Sequence, residues 1–249
     1  MSDSPFDLYQ PCISIDSVIF GFHDNSLSIL LLKLKNVDVW TLPGGFVKKD
    51  ENLDAAASRV LRERTGLNSI FLHQFKAFGN TERVPDGHAN WVVDNKILSP
   101  EWLDWIKMRF VTIGYYALVE YSKVEKPKPD HSSESCSWFP ITELPNLMID
   151  HLDILTHAYE ELKRNLNQQP IGLNLLPDKF TMPELRTLYE TILGKPLDRR
   201  NFQRKMLNFD ILIKTNERRK GGSHKAPILY RFDHEKYERA LQSGLNSSW

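Results

Sequence analysis

With 249 residues, 41% of them hydrophobic and 26% charged, the chain has an ordinary globular composition and suffices for one large domain or two modest ones. The start, MSDSPFDLYQP, lacks a basic region followed by an apolar run, and stretches such as SILLLKL are far too short to cross a bilayer. Neither a signal peptide nor a membrane partner is therefore expected, and the expected location is the cytoplasm. The formal net charge of zero conceals a split: from Asp178 onward 15 Lys+Arg stand against 9 Asp+Glu. Such asymmetry points to a polyanion-binding module attached to a domain with another job.

Residues 1–11 read as a flexible tail. Ser14–Phe22 and Ser26–Leu34 are apolar, β-branched runs on either side of His23-Asp24-Asn25 and predict two strands with a turn. A short strand at Val39–Leu42 leads into Gly45–Leu67, GFVKKDENLDAAASRVLRERTGL, of which Leu53–Thr65 is predicted to be a helix. Ile70–Phe78 and Phe110–Tyr121 read as further strands, followed by the polar loop KVEKPKPDHSSES and a short strand at Ser137–Phe139. Leu152, Leu155, Tyr159 and Leu162 give Asp150–Leu166 a helical period. Between Arg83 and Met108 lies a long connection carrying Trp91, Trp102 and Trp105, three of the six tryptophans, with a short helix starting at Ser99-Pro100-Glu101. It reads as an elaborated loop packing its own aromatics, or else as a lid or dimer contact. Cys12 and Cys136 form no metal-spaced cluster and are expected to be buried or half-buried thiols in a reducing cytoplasm, and no metal site is expected among the scattered histidines.

Residues 167–177, which include QQPIGLN, read as a linker. Thr181-x-x-Glu184 is a capping box that opens a helix with Leu185, Leu188, Tyr189, Ile192 and Leu193 on one face, and Gly194 ends it. Asp198 can cap a second helix, RRNFQRKMLNF, whose Phe202, Met206 and Phe209 should face the core while Arg200 and Arg204 point away. Strands at Ile211–Thr215 and Ile228–Phe232 enclose the basic loop NERRKGGSHKAP. Helix, turn, basic helix and basic hairpin form the layout of a winged helix-turn-helix over 178–240, with a tail at 241–249. Arginine can bond guanine bidentately, and Asn or Gln adenine, in the major groove. Arg199, Arg200, Asn201, Gln203, Arg204 and Lys205 are therefore candidate DNA-binding residues on the helix. Arg218, Arg219, Lys220 and Lys225 on the wing would meet phosphate or the minor groove. A protein-interaction domain with a solvated basic face is the bland alternative.

The segment Gly45–Leu67 resembles the Nudix box, G-x5-E-x7-R-E-U-x-E-E-x-G-U with U a bulky aliphatic residue. Gly45, Glu51, Arg59, Leu61, Glu63, Gly66 and Leu67 fall in register, whereas Val60 and Arg64 stand where the pattern has glutamates. The resemblance implies an α/β fold, a Nudix α/β/α sandwich with a mixed sheet over 12–166 and an insertion at about 84–108. It also implies that Glu51 pairs with Arg59 to brace the loop-helix-loop, and that helix carboxylates hold the magnesium of an active enzyme. Positions 60, 63 and 64 share one helical face, and here that face carries Val60, Glu63 and Arg64. A guanidinium cannot ligate a cation, so no catalytic residue and no cofactor are expected. Mg2+ enters only under the alternative, an active hydrolase of nucleoside diphosphate derivatives using Glu63 and carboxylates from elsewhere.

Taken with FTMPELRTLYETILGKPLDRRNFQRKM and ILYRF, nearly the whole chain resembles the Nudix-related transcriptional regulators, which pair a Nudix-like sensor with a winged helix. The resemblance implies a ligand-responsive DNA-binding regulator acting as a homodimer on a double-stranded operator. The small-molecule effector would be an ADP-ribose-like nucleotide or a pentose; RVLRERTGL lies closer to the arabinose-responsive type. It is expected near the box loop and the strand end Trp40–Phe46, with Trp40, Phe46, Asp150 and His151 lining the pocket. Asp150 also fits a helix cap. A third reading keeps the sensor but gives the basic domain RNA or protein as its partner.

Overall fold

The computed structural model describes residues 4–67, 70, 72–121, 132–166, 171–219 and 226–243. The chain divides into two compact units, the first built mainly from residues up to Tyr159 and the second mainly from Glu160 onward.

In the first unit a single turn, α1 (Pro5–Leu8), is capped by Ser4, whose hydroxyl accepts from Phe6 N. Strand β1 (Tyr9–His23) begins inside the stretch read as a tail, because Tyr9 pairs with Lys48 and Lys49 N donates to the Leu8 carbonyl. The turn to β2 (Ser26–Leu34) narrows to Asp24 and Asn25, whose φ values of 47° and 58° lie in the left-handed region. Two such residues make the hairpin turn that follows the natural twist of the strands, and Asp and Asn tolerate it best after glycine. Next come β3 (Trp40–Thr41), β4 (Gly44–Lys48), α2 (Leu53–Thr65) and β5 (Leu72–Phe78). The tryptophan-rich segment holds α3 (His88–Asp94), a 3-10 turn at Pro100–Trp102 and α4 (Leu103–Ile106). Strands β6 (Val111–Glu120) and β7 (Ser133–Pro140) and helix α5 (His151–Asn165) complete the unit.

The seven-stranded sheet runs β3-β2-β1-β6-β5, with β4 also on β1 and β7 also on β2. Side chains alternate across a strand, and β1 shows what covers each face. Ile15 and Ile19 pack against Ala56, Ala57 and Leu61 of α2, while the carboxylate of Asp16, one residue along, is 3.8 Å from His151 of α5. The two helices thus flank opposite faces of β1, the sandwich expected. Helix α2 has the predicted bounds because both ends are locally specified. Asn52 accepts from Ala55 N at 2.8 Å, and Gly66, at φ 76°, closes the last turn on the Arg62 carbonyl.

The tryptophan-rich segment packs on more than itself. Val92 and Ile97 share a core with Leu34 of β2, flanked by Trp91, Val37 and Val39. Trp105 is fully buried, with ring contacts to Phe6 at 5.1 Å, Phe46 at 5.5 Å and Phe110 at 5.6 Å. Helix α3 was not anticipated from the sequence.

The second unit contains β8 (Phe180–Thr181), α6 (Met182–Leu193), α7 (Arg199–Asn208), β9 (Leu212–Arg218), β10 (Ile228–Phe232) and α8 (His234–Ser243). Its sheet order is β8-β10-β9, antiparallel throughout. Both bonds of the capping box are made: Thr181 N donates to Glu184 Oε2 at 2.6 Å and Glu184 N to Thr181 Oγ1 at 3.3 Å. Gly194, at φ 67°, ends α6, and Asp198 caps α7 by accepting from Asn201 N at 2.8 Å. Leu185, Leu188, Tyr189, Ile192, Phe202 and Met206 are buried, and Tyr189 meets Phe202 edge-on. Phe209, expected in the core, is half-buried, with Lys205 Nζ 6.0 Å from its ring centre. Part of the expected linker belongs to this core: Ile171, Leu175 and Leu176 are buried, and Ile171 N donates to the Tyr189 hydroxyl. Helix α8, also unanticipated, is anchored by Tyr237 against Phe232. Among the described residues no helix is long and apolar enough to cross a membrane.

Candidate effector site and nucleic-acid interface

The box begins with two glycines that the packing requires. A Cβ on Gly44 would lie 2.1 Å from Asp16 Oδ1, and one on Gly45 would lie 2.9 Å from Val60 Cγ2. Arg59 grips Glu51 with two edges, Nε to Oε2 at 2.9 Å and Nη2 to Oε1 at 2.5 Å, and also donates to the Phe46 carbonyl at 2.8 Å. Lys48 N donates to Glu51 Oε1 at 2.7 Å. Both side chains are only 12% exposed, so this pair is no surface ornament. The Arg59 hydrogen bonds hold the Glu51 carboxyl below its usual range against the opposing effect of burial, and Glu51 in turn raises Arg59.

The three positions of the metal-binding face are all otherwise engaged. Val60 is 2% exposed and packs on Gly45. Glu63 accepts from Arg59 Nη1 at 2.8 Å. Arg64 directs Nε to the Gly44 carbonyl at 2.7 Å and Nη1 to Ser132 Oγ at 2.5 Å, tying α2 to the start of β4. A hard cation needs several oxygen ligands, and a face of one isopropyl group, one paired carboxylate and one guanidinium does not fit magnesium. No group of three or more His, Cys, Asp or Glu is arranged to hold a metal ion among the described residues.

Behind Gly44 lies a buried polar network. Asp16 Oδ2 accepts from Thr112 Oγ1 at 3.0 Å, and Thr112 Oγ1 is also hydrogen-bonded to Ser14. Arg83 pairs bidentately with Asp150, at 2.7 and 2.9 Å, and its Nη2 is 3.9 Å from Asp16. His151 Nδ1 accepts from Leu42 N at 2.9 Å, which leaves the ring proton on Nε2, facing Asp16. Burial pushes the His151 pKa down, opposed by Asp16 and Asp150. The neutral ring therefore pins the β3 end to α5. A cleft opens beside this network, lined by Phe78, Gly79, Asn80, Arg83, Ile149 and Asp150.

Of the expected pocket residues, Asp150 and His151 enter this network. Trp40 packs edge-on against Phe139 at 4.6 Å. Phe46 sits among Tyr9, Trp102, Trp105 and Phe110. Asp16, Arg83 and Thr112 were not singled out in the sequence. Only Asp16 carried a signal, as the one charged residue within SIDSVIF, where burial demands partners.

On α7, Arg199, Arg200, Asn201 and Arg204 are exposed, and Gln203 and Lys205 are half-buried. Arg204 Nη2 donates to Asn201 Oδ1 at 3.1 Å, which orients both side chains together. Burial lowers the Lys205 pKa beside Phe209. Arg218 Nη1 donates to the Ala226 carbonyl at 2.9 Å. Arg219 is held by Glu184, with Nη2 2.5 and 2.6 Å from its two oxygens. Against the burial of Glu184, Arg219 and the Thr181 amide hold that carboxyl below its usual value. Lys220 and Lys225 lie outside the described residues.

A mixed-sheet sandwich with a degenerate box, followed by a winged helix with a basic second helix, defines a two-part regulator rather than a lone hydrolase domain. Residues 13–158 match the NUDIX domain family, and residues 172–232 match the NrtR DNA-binding winged helix domain. The chain is 31% identical over 239 residues to the ADPR responsive transcriptional repressor NtrR of Acinetobacter baylyi, covering 93% of this chain and 86% of that one. The crystal structure of Shewanella oneidensis NrtR complexed with a 27mer DNA is similar at a TM-score of 0.74 and 25% identity, over 96% of this chain and 99% of that one. A second crystal structure of Shewanella oneidensis NrtR gives a TM-score of 0.73 and 26% identity, over 96% of this chain and 100% of that one. The chain belongs to the NrtR family of Nudix-related transcriptional regulators.

Proposed function

We propose that this protein is an ADP-ribose-responsive transcriptional repressor whose Nudix domain binds the effector without hydrolysing it. The observation that carries the reading is Arg64. Its guanidinium rests on the Gly44 carbonyl, at a box position where an enzyme needs a carboxylate, and a fixed cation beside the box suits a diphosphate that is bound but not cleaved. ADP-ribose is the effector because the relative similar along 93% of the chain is named for it.

The effector site would lie at the box loop and the strand end Trp40–Phe46. His151 would shape it from behind by fixing Leu42, and Asp150 by holding Arg83. The winged helix would bind double-stranded DNA, in keeping with the similar NrtR complexed with a 27mer DNA, with Arg200, Asn201 and Arg204 toward the bases. Arg218 would lie toward phosphate, joined by Arg219 once DNA displaces Glu184. A homodimer would match a two-fold operator.

The test combines a thermal-shift titration with duplex binding by the full chain. ADP-ribose should raise the melting temperature and change affinity for a selected operator duplex, with no AMP released in the presence of Mg2+. Arabinose should do neither. A response to arabinose alone, or robust magnesium-dependent turnover, would overturn the proposal.

A further inference from the structure

We infer that a cleft between the starts of α6 and α7 is a phosphate-binding site for the DNA backbone, built by Arg186 and Arg199. This rests on the reading of the second unit as a duplex-binding domain and adds to it a residue, Arg186, that neither helix pattern nor charge run singles out.

The cleft measures about 180 Å³ and is lined by Met182, Pro183, Arg186, Arg199, Phe202 and Gln203. Its floor is apolar, since Met182 is 8% and Phe202 3% exposed. Its polar lining is two guanidinium groups and one amide. Arg186 Nε is buried and makes no hydrogen bond among the described residues. Its ion-pair partner Glu190 stands at 3.5 Å through Oε1, beyond a well-made hydrogen bond, and that oxygen already accepts from Leu197 N at 2.8 Å. Arg199 makes no hydrogen bond or ion pair with any described residue. Two under-used guanidiniums on one small cleft are the chemistry of a tetrahedral oxyanion. The partial positive charge at the α6 start has the same sign.

Placement selects the source of that anion. When the second helix of a helix-turn-helix enters the major groove, the first crosses the backbone. A cleft between the two helix starts then faces a phosphate at the groove edge. Arg199 therefore acts with Arg186 as a clamp that sets register, while Arg200 and Arg204 remain the readers.

The experiment measures the full chain by fluorescence anisotropy on an operator and a scrambled duplex at several salt concentrations. Arg186→Gln and Arg199→Gln should each weaken both duplexes by the same factor and reduce the magnitude of the log–log salt slope by ~1, and the double variant by ~2. Arg186→Lys should keep the wild-type slope. Arg199, exposed and without a partner among the described residues, keeps the test standing if Arg186→Gln lowers the melting temperature. Wild-type duplex binding with unchanged slopes in both Gln variants would overturn the clamp and leave the DNA-binding reading intact. Loss of discrimination between the duplexes in Arg199→Gln would overturn it as well, by making Arg199 a base reader. Absence of duplex binding by the wild type would remove the reading on which the clamp rests.

Discussion

Glu51→Ala should destabilise the first unit by about 3 kcal/mol. Glu51 accepts from Arg59 through two edges and from Lys48 N, and both members of the pair are 12% exposed. Removing one partner of a buried pair costs about 3–5 kcal/mol, because the other charge is left without compensation. Arg59 would retain the Phe46 carbonyl and Glu63, which places the loss at the low end. With a urea dependence of roughly 1–3 kcal/mol/M, the midpoint should fall by about 1 M or more. Tryptophan fluorescence is the right probe, since all the tryptophans except Trp249 precede Tyr159 and report the first unit apart from the second. A midpoint shift below about 0.3 M would match an exposed pair of roughly 0.5 kcal/mol. It would refute the claim that this pair braces the box.

Glu51 also sets a pH dependence. Its folded pKa lies below the ordinary value near 4.5, so its contribution is complete above that value and is lost as pH falls through the lower, folded one. Urea midpoints between about pH 3 and 5 should therefore drop more steeply in the wild type than in Glu51→Gln, and parallel curves would count against the pair. Val60→Glu with Arg64→Glu should create Mn2+ binding visible by paramagnetic broadening, with none in the wild type; equal binding by both would show that Arg64 does not exclude the cation. His151 should remain the neutral Nε2–H tautomer in nitrogen NMR spectra as pH falls past 6.5, its ordinary value, and a normal titration would contradict the bond from Leu42 N. Arg204→Ala should cost about 1–3 kcal/mol on operator duplex and far less on scrambled duplex; equal losses would mean that α7 is not the reader.

The features legible in the sequence are those written within a few residues. Asn52 before Leu53, Gly66 after Thr65, the Thr181/Glu184 box and Asp198 before Arg199 each place a helix end through a bond spanning three or four residues. The spacing of Glu51 and Arg59 announces their pairing because eight residues of loop and helix bring them together in any box of this kind. Helix α3 carried no such mark: Gly87 precedes it without a side-chain cap, and its residues are held by packing on Leu34, far back in the chain.

What only the tertiary structure decided are the contacts whose partners lie far apart in sequence. Asp16 meets Thr112 across 96 residues, Arg83 meets Asp150 across 67 and Leu42 meets His151 across 109. No local periodicity encodes such a meeting; it follows from which strands neighbour β1 and which helix covers its far face. For the same reason the sequence marks Phe46 and Arg219 only as a pocket aromatic and a wing cation. The fold places Phe46 against Trp102, Trp105 and Phe110, and gives Arg219 the carboxylate of Glu184. Helix caps and box spacing act through bonds that any local chain segment can make, whereas burial and charge pairing depend on what the finished sheet brings alongside.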